Sequence, residues 1–535
     1  MLAMGLQAGQ GMAQGVGDAA YLASWLERPS LQFEQQSIGT EPLRRFYQSE
    51  SYAPVWVDDK GLSKRGEQAL ARFTGAAGHG LNPERYRAAL IQDVSTWQPS
   101  DAAGLEQKRL SLELLVSDGV MRYAADMRGG SVAHQWDTGA AAPAEADRVA
   151  LLQGASAAAD TGAYLDALAP ALPEYAALKG ALQRYRTIAA QGGWPQWTPG
   201  GKIAPDSADA RLGTLRQILV AQGDLAAGNY PATYDAATID GVKRFQERHN
   251  IDADGVVGAG TQAALGVSAG ERVRQIAMTM ERMRWMPATI GTRYVLVNIP
   301  AYRLTAVSGN RQLAMDVIVG KSDTQTPMFS KEITDVILNP SWGVPQKIAV
   351  KEMLPKIRKD PAYLARAGYT VTDGSGSVID ASAVDWESVG RSNFAYSIRQ
   401  NPGAGNALGK VKFAIPDSDD IYLHDTSQHR LFSRAERSLS HGCVRLSDPK
   451  ALTEFVLNDE GWSEGKIATA YDSAAPRTVR IAPLPVHLVY WTSWVDEQGR
   501  AHFSRDIYGK DKPLLAAMLE PQPQPAAQPL RLAMN

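Results

Sequence analysis

The chain of 535 residues holds one cysteine, Cys443, in the run Ser440-His441-Gly442-Cys443-Val444-Arg445. A lone thiol forms no intramolecular disulfide and supplies too little sulfur for a cysteine-rich metal site. It is either a buried structural residue or a nucleophile, and its neighbours favour the nucleophile. Gly442 lets the backbone come close to a substrate. Arg445 is a permanent cation that favours thiolate and can receive an anion. A free thiol titrates near ~8.5 and is only a few per cent thiolate at neutral pH, so a paired base matters. Two histidines can serve. His424 lies upstream in Ile421-Tyr422-Leu423-His424-Asp425-Thr426. His441 shares a face with Cys443 if the segment is extended. An imidazole-activated thiol that attacks a carbonyl gives a thioester. A metal site from His424, His429, His441 and Cys443 has suitable atoms, but the spacings fit no zinc pattern, and neither metal nor cofactor is expected.

The elements around this pair read as a β domain. Tyr294-Val295-Leu296-Val297-Asn298-Ile299 and Met315-Asp316-Val317-Ile318-Val319 are β-branched runs between turn residues. Lys412-Phe413-Ala414-Ile415 and Ile421-Tyr422-Leu423 continue the texture. Residues 346–400 interrupt it; the stretch 350–366 has a helical look, and the insertion carries Lys347, Lys351, Lys356, Arg358 and Lys359. A closing hairpin is expected around Glu497-Gln498-Gly499. Upstream, Leu212, Leu215, Ile218 and Leu219 fit one helical face and Ile239, Val242 and Phe245 another, so residues 205–270 form a small three-helix unit.

Length suggests about three or four domains. A hydrophobic share of 44% and a charged share of 21% are those of ordinary globular proteins. A net charge of −2 gives no reason to expect nucleic acid or an anionic membrane as partner. No run of eighteen apolar residues is present, so no transmembrane helix is predicted. The first ten residues lack a basic n-region and do not read as a signal peptide. The expected organisation is a mobile segment 1–30, a helical scaffold 31–204, the small module 205–270, a catalytic domain 271–485 with an insertion at 346–400, a β extension 486–519 and a disordered Pro-rich tail 520–535. The fold class is α+β and multidomain.

Tyr422-Leu423-His424-Asp425-Thr426 followed by Ser440-His441-Gly442-Cys443-Val444-Arg445-Leu446 resembles the signature of the L,D-transpeptidase family, whose catalytic domain is of the YkuD type. Val319-Gly320-Lys321, Thr326-Pro327, Asn339-Pro340-Ser341-Trp342-Gly343-Val344-Pro345 and Asn406-Ala407-Leu408-Gly409 resemble further parts of that domain, in order. The three-helix unit resembles a peptidoglycan-binding module through Val242-Lys243-Arg244-Phe245-Gln246 and Asp254-Gly255-Val256-Val257-Gly258. Tyr52-Ala53-Pro54-Val55-Trp56 and His79-Gly80-Leu81-Asn82-Pro83 are similar to the scaffold of the large YcbB-like class of Gram-negative bacteria.

The resemblance implies Cys443 as nucleophile and His424 as general base and acid, with His441 lining the site. The Asp425 backbone carbonyl would orient the His424 ring, its side chain being the alternative. Gly442 and Cys443 N–H groups would form the oxyanion hole. Arg445, His441, Ser440, Trp342 and Tyr422 would contact substrate. The implied reaction joins peptidoglycan stem peptides, a tetrapeptide donor and a diaminopimelate acceptor, into 3→3 cross-links. Periplasmic location and acylation by carbapenem-type β-lactams follow from the same resemblance. A thioester resolved by water would instead make an L,D-carboxypeptidase or cross-link hydrolase, and a silent catalytic domain would leave a wall-anchoring scaffold.

Overall fold

The computed structural model describes residues 18–33, 36–134, 145–473, 475–520 and 530–532. Its scaffold is built around one 28-residue helix, Ala102–Gly129, started by Asp101, whose side chain accepts the Gly104 N–H at 2.7 Å. From Leu110 to Met127 nearly every residue of this helix is buried, because shorter helices at 41–49, 64–75, 88–96 and 145–157 surround it. Such all-round burial forces its acidic residues to find partners. Glu113 accepts the Tyr47 hydroxyl at 2.5 Å and the Val55 and Trp56 N–H groups at 2.7 and 2.8 Å. Asp118 holds Arg87 and Arg122, each at 2.7 Å.

Two terminal expectations change. Residues 1–17 lie outside the described residues, but Asp18–Leu26 is a helix with Leu22 and Leu26 wholly buried, so the segment 1–30 is not mobile throughout. Residues 521–529 and 533–535 of the Pro-rich tail also lie outside. Leu530–Leu532 pairs in parallel with Ser30–Phe33, which extends the scaffold's hairpin 30–39 to three strands.

The module has the expected three helices, Leu212–Gln222, Ala236–Arg248 and Ala259–Leu265, with Val242 and Phe245 wholly buried between them. The helix Ala269–Arg284 follows, started by a capping box in which Ser268 and Glu271 satisfy each other's N–H groups. It joins the parts. Glu281 accepts the Ser131 and Val132 N–H groups of the scaffold at 2.5 and 2.9 Å, and Gln275 donates to the Thr492 and Ser504 carbonyls at 2.9 and 3.0 Å.

The catalytic domain is one nine-stranded sheet. In chain order its strands are β1 (Arg293–Asn298), β2 (Arg303–Ser308), β3 (Arg311–Gly320), β4 (Phe329–Leu338), β5 (Val411–Ala414), β6 (Leu423–His424), β7 (Ser438–Ser440), β8 (Val444–Leu446) and β9 (Arg477–Val489). The spatial order is β7-β3-β8-β6-β5-β4-β9-β1-β2, and β2 pairs again with β3, so eight strands close on themselves and leave no edge there. Val297, Val317, Val336, Phe413, Leu423, Val444 and Leu488 fill the interior. β9 runs through the boundary expected at 485, because Val486–Val489 complete the ladder with β1; the C-terminal extension therefore starts after Val489. Its hairpin, Ser493–Val495 with Ala501–Phe503, turns at the expected Glu497-Gln498-Gly499.

The insertion is more than helical. Short helices between Gln346 and Arg366 pack on a four-stranded sheet made of Trp342–Gly343, Tyr369–Thr372, Val378–Ile379 and Ser397–Gln400. Ile357, Leu364, Val371, Trp386 and Ile398 give it a core of its own. Asn406 fastens its neck, donating to the Pro340 and Asn401 carbonyls at 3.0 and 2.9 Å.

Candidate active site

β6 and β8 are parallel neighbours, with His424 level with Arg445. On the other side of β6, Lys412 of β5 is level with His424. Three basic side chains thus form one row, Lys412–His424–Arg445, across three strands. One step along, the Val444 N–H donates to the Tyr422 carbonyl at 3.0 Å, which sets Cys443 beside Tyr422.

The loop carrying the thiol is held from several sides. Gly442 has φ +122°, a conformation that L side chains rarely adopt, and a Cβ there would lie 3.0 Å from Ile421 Cδ1. Thr326 donates to the Gly442 carbonyl at 2.6 Å and accepts the Gly320 N–H at 2.9 Å. Lys321 N–H and the Thr324 hydroxyl donate to the Ser440 carbonyl at 3.0 and 3.1 Å. The Val319-Gly320-Lys321 and Thr326-Pro327 segments therefore clamp the loop that carries Cys443.

Cys443 is half-buried. Its Sγ donates to the Asp420 carbonyl at 3.3 Å. No hydrogen bond joins it to the His424 ring, which lies on the adjoining strand. Catalytic hydrogen bonds of this kind often tighten only in the reaction complex. Burial raises the Cys443 thiol above its usual range, while Tyr422 and the Lys412 ammonium pull it back toward thiolate. Burial, then Arg445 and Lys412, lowers the His424 ring to about 3, and the Asp425 backbone opposes them. The resting pair is a neutral thiol beside a neutral imidazole, not the low-pKa thiolate the motif suggests. The Lys412 ammonium favours the thiolate, and the Arg445 guanidinium also couples to the charge on Cys443.

The geometry gives the remaining expected residues the following partners. His424 Nδ1 is buried without a well-formed hydrogen bond, and the Asp425 backbone is the group that acts on the ring from its own strand, raising it against burial. The Asp425 carboxylate is engaged elsewhere, accepting the Lys410 and Thr426 N–H groups at 2.7 and 2.6 Å and pairing with His429 at 3.0 Å. This is why residue 409 is glycine: a Cβ there would sit 2.3 Å from that carboxylate. The Gly442 N–H donates to Ser440 Oγ at 3.1 Å, so it is not free as an oxyanion donor. Ser440 is buried and its hydroxyl donates to the Cys443 carbonyl at 2.6 Å, so it shapes the turn and does not face substrate. His441, the rival base, turns away and bonds Glu352 of the insertion at 2.5 Å.

Tyr422 and Trp342 lie together: Trp342 hydrogen-bonds the Tyr422 hydroxyl, and Lys412 Nζ lies 3.9 Å from the Tyr422 ring centre. Arg445 is bound at Nη1 by Gln428 at 3.3 Å, and its Nε is buried without a partner. Sequence reasoning missed Lys412, Asp420 and Glu352. Lys412 had a faint signal, since it alternates with the buried Val411 and Phe413. Among the described residues no group of three or more His, Cys, Asp or Glu side chains is placed to hold a metal.

Three family models match the chain: a scaffold domain over residues 41–182, a "Putative peptidoglycan binding domain" over 209–265, and an L,D-transpeptidase catalytic domain over 292–479. The chain thus carries an L,D-transpeptidase catalytic domain of the YkuD type and a peptidoglycan-binding domain. It is 37% identical over 241 residues to a Haemophilus influenzae protein named "Putative L,D-transpeptidase"; the match covers 45% of this chain and 48% of that protein, about half the length of each. An L,D-transpeptidase structure from Xylanimonas cellulosilytica is 16% identical, covering 55% of this chain and 98% of its own, with a TM-score of 0.17. One from Stackebrandtia nassauensis is 11% identical, covering 54% and 96%, with a TM-score of 0.20. No helix among the described residues is long and apolar enough to cross a membrane.

Proposed function

We propose that this protein forms 3→3 cross-links between peptidoglycan stem peptides through a thioester on Cys443, acting in the periplasm. The observation that carries the reading is a half-buried thiol at the entry to one strand and a buried imidazole on the parallel strand beside it, inside a domain of the L,D-transpeptidase type. His424 takes the thiol proton as Sγ attacks the donor carbonyl. The bond to the terminal D-alanine then breaks, and its nitrogen leaves with that proton. The side-chain amine of a second stem attacks the thioester, the new amide forms, and the thiol is regenerated with a proton returned through His424. The imidazole is neutral at rest and has an open lone pair, but at about 3 it is a weak base there, so the proton transfer is coupled to attack on the carbonyl. The insertion adds a cover joined to the nucleophile loop through Glu352 and His441, and excluding water favours aminolysis over hydrolysis. The peptidoglycan-binding domain supplies a reason for the chain to dwell on its polymeric substrate.

Purified enzyme given tetrapeptide muropeptides should yield dimers that have lost one D-alanine, and Cys443→Ala should yield none. Trimmed monomers alone would overturn cross-linking in favour of the carboxypeptidase. A carbapenem should add its mass to the native protein and not to Cys443→Ala.

A further inference from the structure

A cavity of about 530 Å³ lies where the scaffold meets the C-terminal end of the helix Ala269–Arg284. None of its described lining residues belongs to the catalytic sheet. Its size falls in the range of about 300–1,000 Å³ that encloses a small molecule. Its walls are aromatic. The His134 ring stacks on Trp285 with ring centres 4.7 Å apart, and Tyr164 stands on the short helix Thr161–Asp166. Glycines make room for these rings: a Cβ on Gly130 would lie 2.5 Å from Trp285 Nε1, and one on Gly154 would lie 2.3 Å from the Tyr164 hydroxyl oxygen. The wall also carries donors that lack acceptors. Arg284 is fully buried, and its Nε has no partner. Arg128 is exposed in the last turn of the helix Ala102–Gly129. Among the described residues neither its guanidinium nor the Tyr164 hydroxyl makes a hydrogen bond or ion pair. Burial raises the Tyr164 phenol and the Arg128 charge opposes it, so the two groups stand close together. Asp147 is the one carboxylate among the described residues of the wall, and it is exposed.

We propose that this cavity is a binding site for a small organic anion, a ring that carries a carboxylate. Arg128 and the Tyr164 hydroxyl hold the carboxylate, and the ring lies among Trp285, His134 and Tyr164. Donors taken out of water without acceptors cost stability, and a carboxylate brings the acceptor oxygens that a guanidinium binds most strongly. The aromatic walls select the ring, because a flat face buries more area against them than an open-chain anion does. The site needs no chemistry at Cys443, so it stands apart from the reaction proposed above. Sugar acids and aromatic acids both offer a ring with a carboxylate, and the probes below separate these two sources.

Isothermal titration of the full chain reads the binding of each probe. N-acetylmuramic acid and 4-hydroxybenzoate join a ring to a carboxylate; N-acetylglucosamine has the ring alone and acetate the carboxylate alone. At least one ring acid should bind native protein. The two single-feature probes should bind about tenfold or more weakly than the better acid, the scale of one hydrogen bond to a charged group. Arg128→Met should weaken the better acid by about tenfold or more, and Tyr164→Phe by about fivefold. Neither side chain has a partner to lose, so both variants should melt at the native temperature without ligand. Tighter binding of N-acetylmuramic acid assigns the site to a sugar acid, and tighter binding of 4-hydroxybenzoate assigns it to an aromatic acid. The inference is overturned if neither acid saturates the protein up to about 10 mM, where binding free energy is already small. It is equally overturned if a single-feature probe binds as tightly as the better acid, or if both folded variants bind that acid as native protein does, which would put it elsewhere on the chain.

Discussion

On the helix Ala269–Arg284, Glu281 and Arg284 are both fully buried and bonded to each other at 2.5 Å. Glu281 also accepts two backbone N–H groups, and Arg284 donates to the His79 carbonyl and the Tyr175 hydroxyl, each at 3.0 Å. In the catalytic sheet, by contrast, His424 Nδ1 and Arg445 Nε are buried without a well-formed hydrogen bond, and Lys412 lies over the Tyr422 ring with Cys443 and Asp420 near it but no ion pair made. Both regions take charge or polarity out of water. The helix answers both charges from within the chain, although Arg284 Nε and Arg272 Nε are themselves without a partner, and the result fastens three parts of the molecule together. The sheet leaves its groups open, which costs stability and suits a ligand that brings the missing partners.

The largest effect that tests this contrast comes from the imidazole. His424→Gln should lower turnover by about 10²–10⁴-fold, the range for a positioned acid and base, read by dimer formation. Its stability should respond in the opposite sense at low pH. The folded ring resists protonation down to about 3, whereas an unfolded histidine binds a proton below its usual value near ~6.5. The unfolded state therefore binds more protons between those limits, and native stability falls as pH drops through that window. Glutamine removes this term, so thermal unfolding scans of the variant should show a flatter decline between pH 6 and 4. An identical decline would place the acid sensitivity elsewhere; His249, held well below its ordinary value by burial, and His79 and His487, both lowered to about 4, are the next candidates.

On the fastened side, Glu281→Ala should destabilise the fold by about 3–5 kcal/mol, because it strands a buried Arg284. Denaturant titration measures this. Whatever remains folded should still form the thioester, because Glu281 sits in the joint between domains and not in the sheet. A loss of acylation in protein shown to be folded would mean that the joint also sets the geometry of the site.

A smaller effect concerns the thiol. With Cys443 raised by burial, its alkylation by iodoacetamide should keep accelerating with pH past the ordinary thiol value near ~8.5. Lys412→Met should move the midpoint higher, since the ammonium favours thiolate. A plateau already at neutral pH would indicate a resting ion pair with His424, contrary to the neutral pair described.

Legibility followed the length scale of the interactions. Cys443 and His424 stood out in the sequence because residue type and a short gap mark them. The three-helix module was visible because Val242 and Phe245 repeat at helical spacing and are buried accordingly. The insertion's sheet was hidden because two of its strands, Trp342–Gly343 and Val378–Ile379, are two residues long and too short to show a period of two. The pairing of Leu530–Leu532 with Ser30–Phe33 joins opposite ends of the sequence, which no local pattern reports. The Lys412–His424–Arg445 row depends on register between three strands, and register is a property of the folded sheet. The role given to Ser440 failed for a related reason: its motif shows that the residue is present, not that its hydroxyl turns back to the Cys443 carbonyl.

The smallest expected effect probes the join between cover and sheet. Glu352 lies in the π-helical turn Ala349–Met353 of the insertion and meets His441 at 2.5 Å, with both side chains a third or more exposed. Exposed pairs contribute about 0–1 kcal/mol, so Glu352→Gln should leave unfolding unchanged within that margin. The insertion has its own core and does not need the contact to fold. If the pair holds the cover down, the variant should show an increase of up to about fivefold in KM for the peptide, with a larger share of thioester lost to water. Chemistry at Cys443, read by alkylation rate, should not move, because His441 neither bonds the thiol nor supplies its base. A changed alkylation rate would return His441 to the list of groups acting on the sulfur, and would sharpen the contrast between open and fastened charge by moving one more residue to the open side.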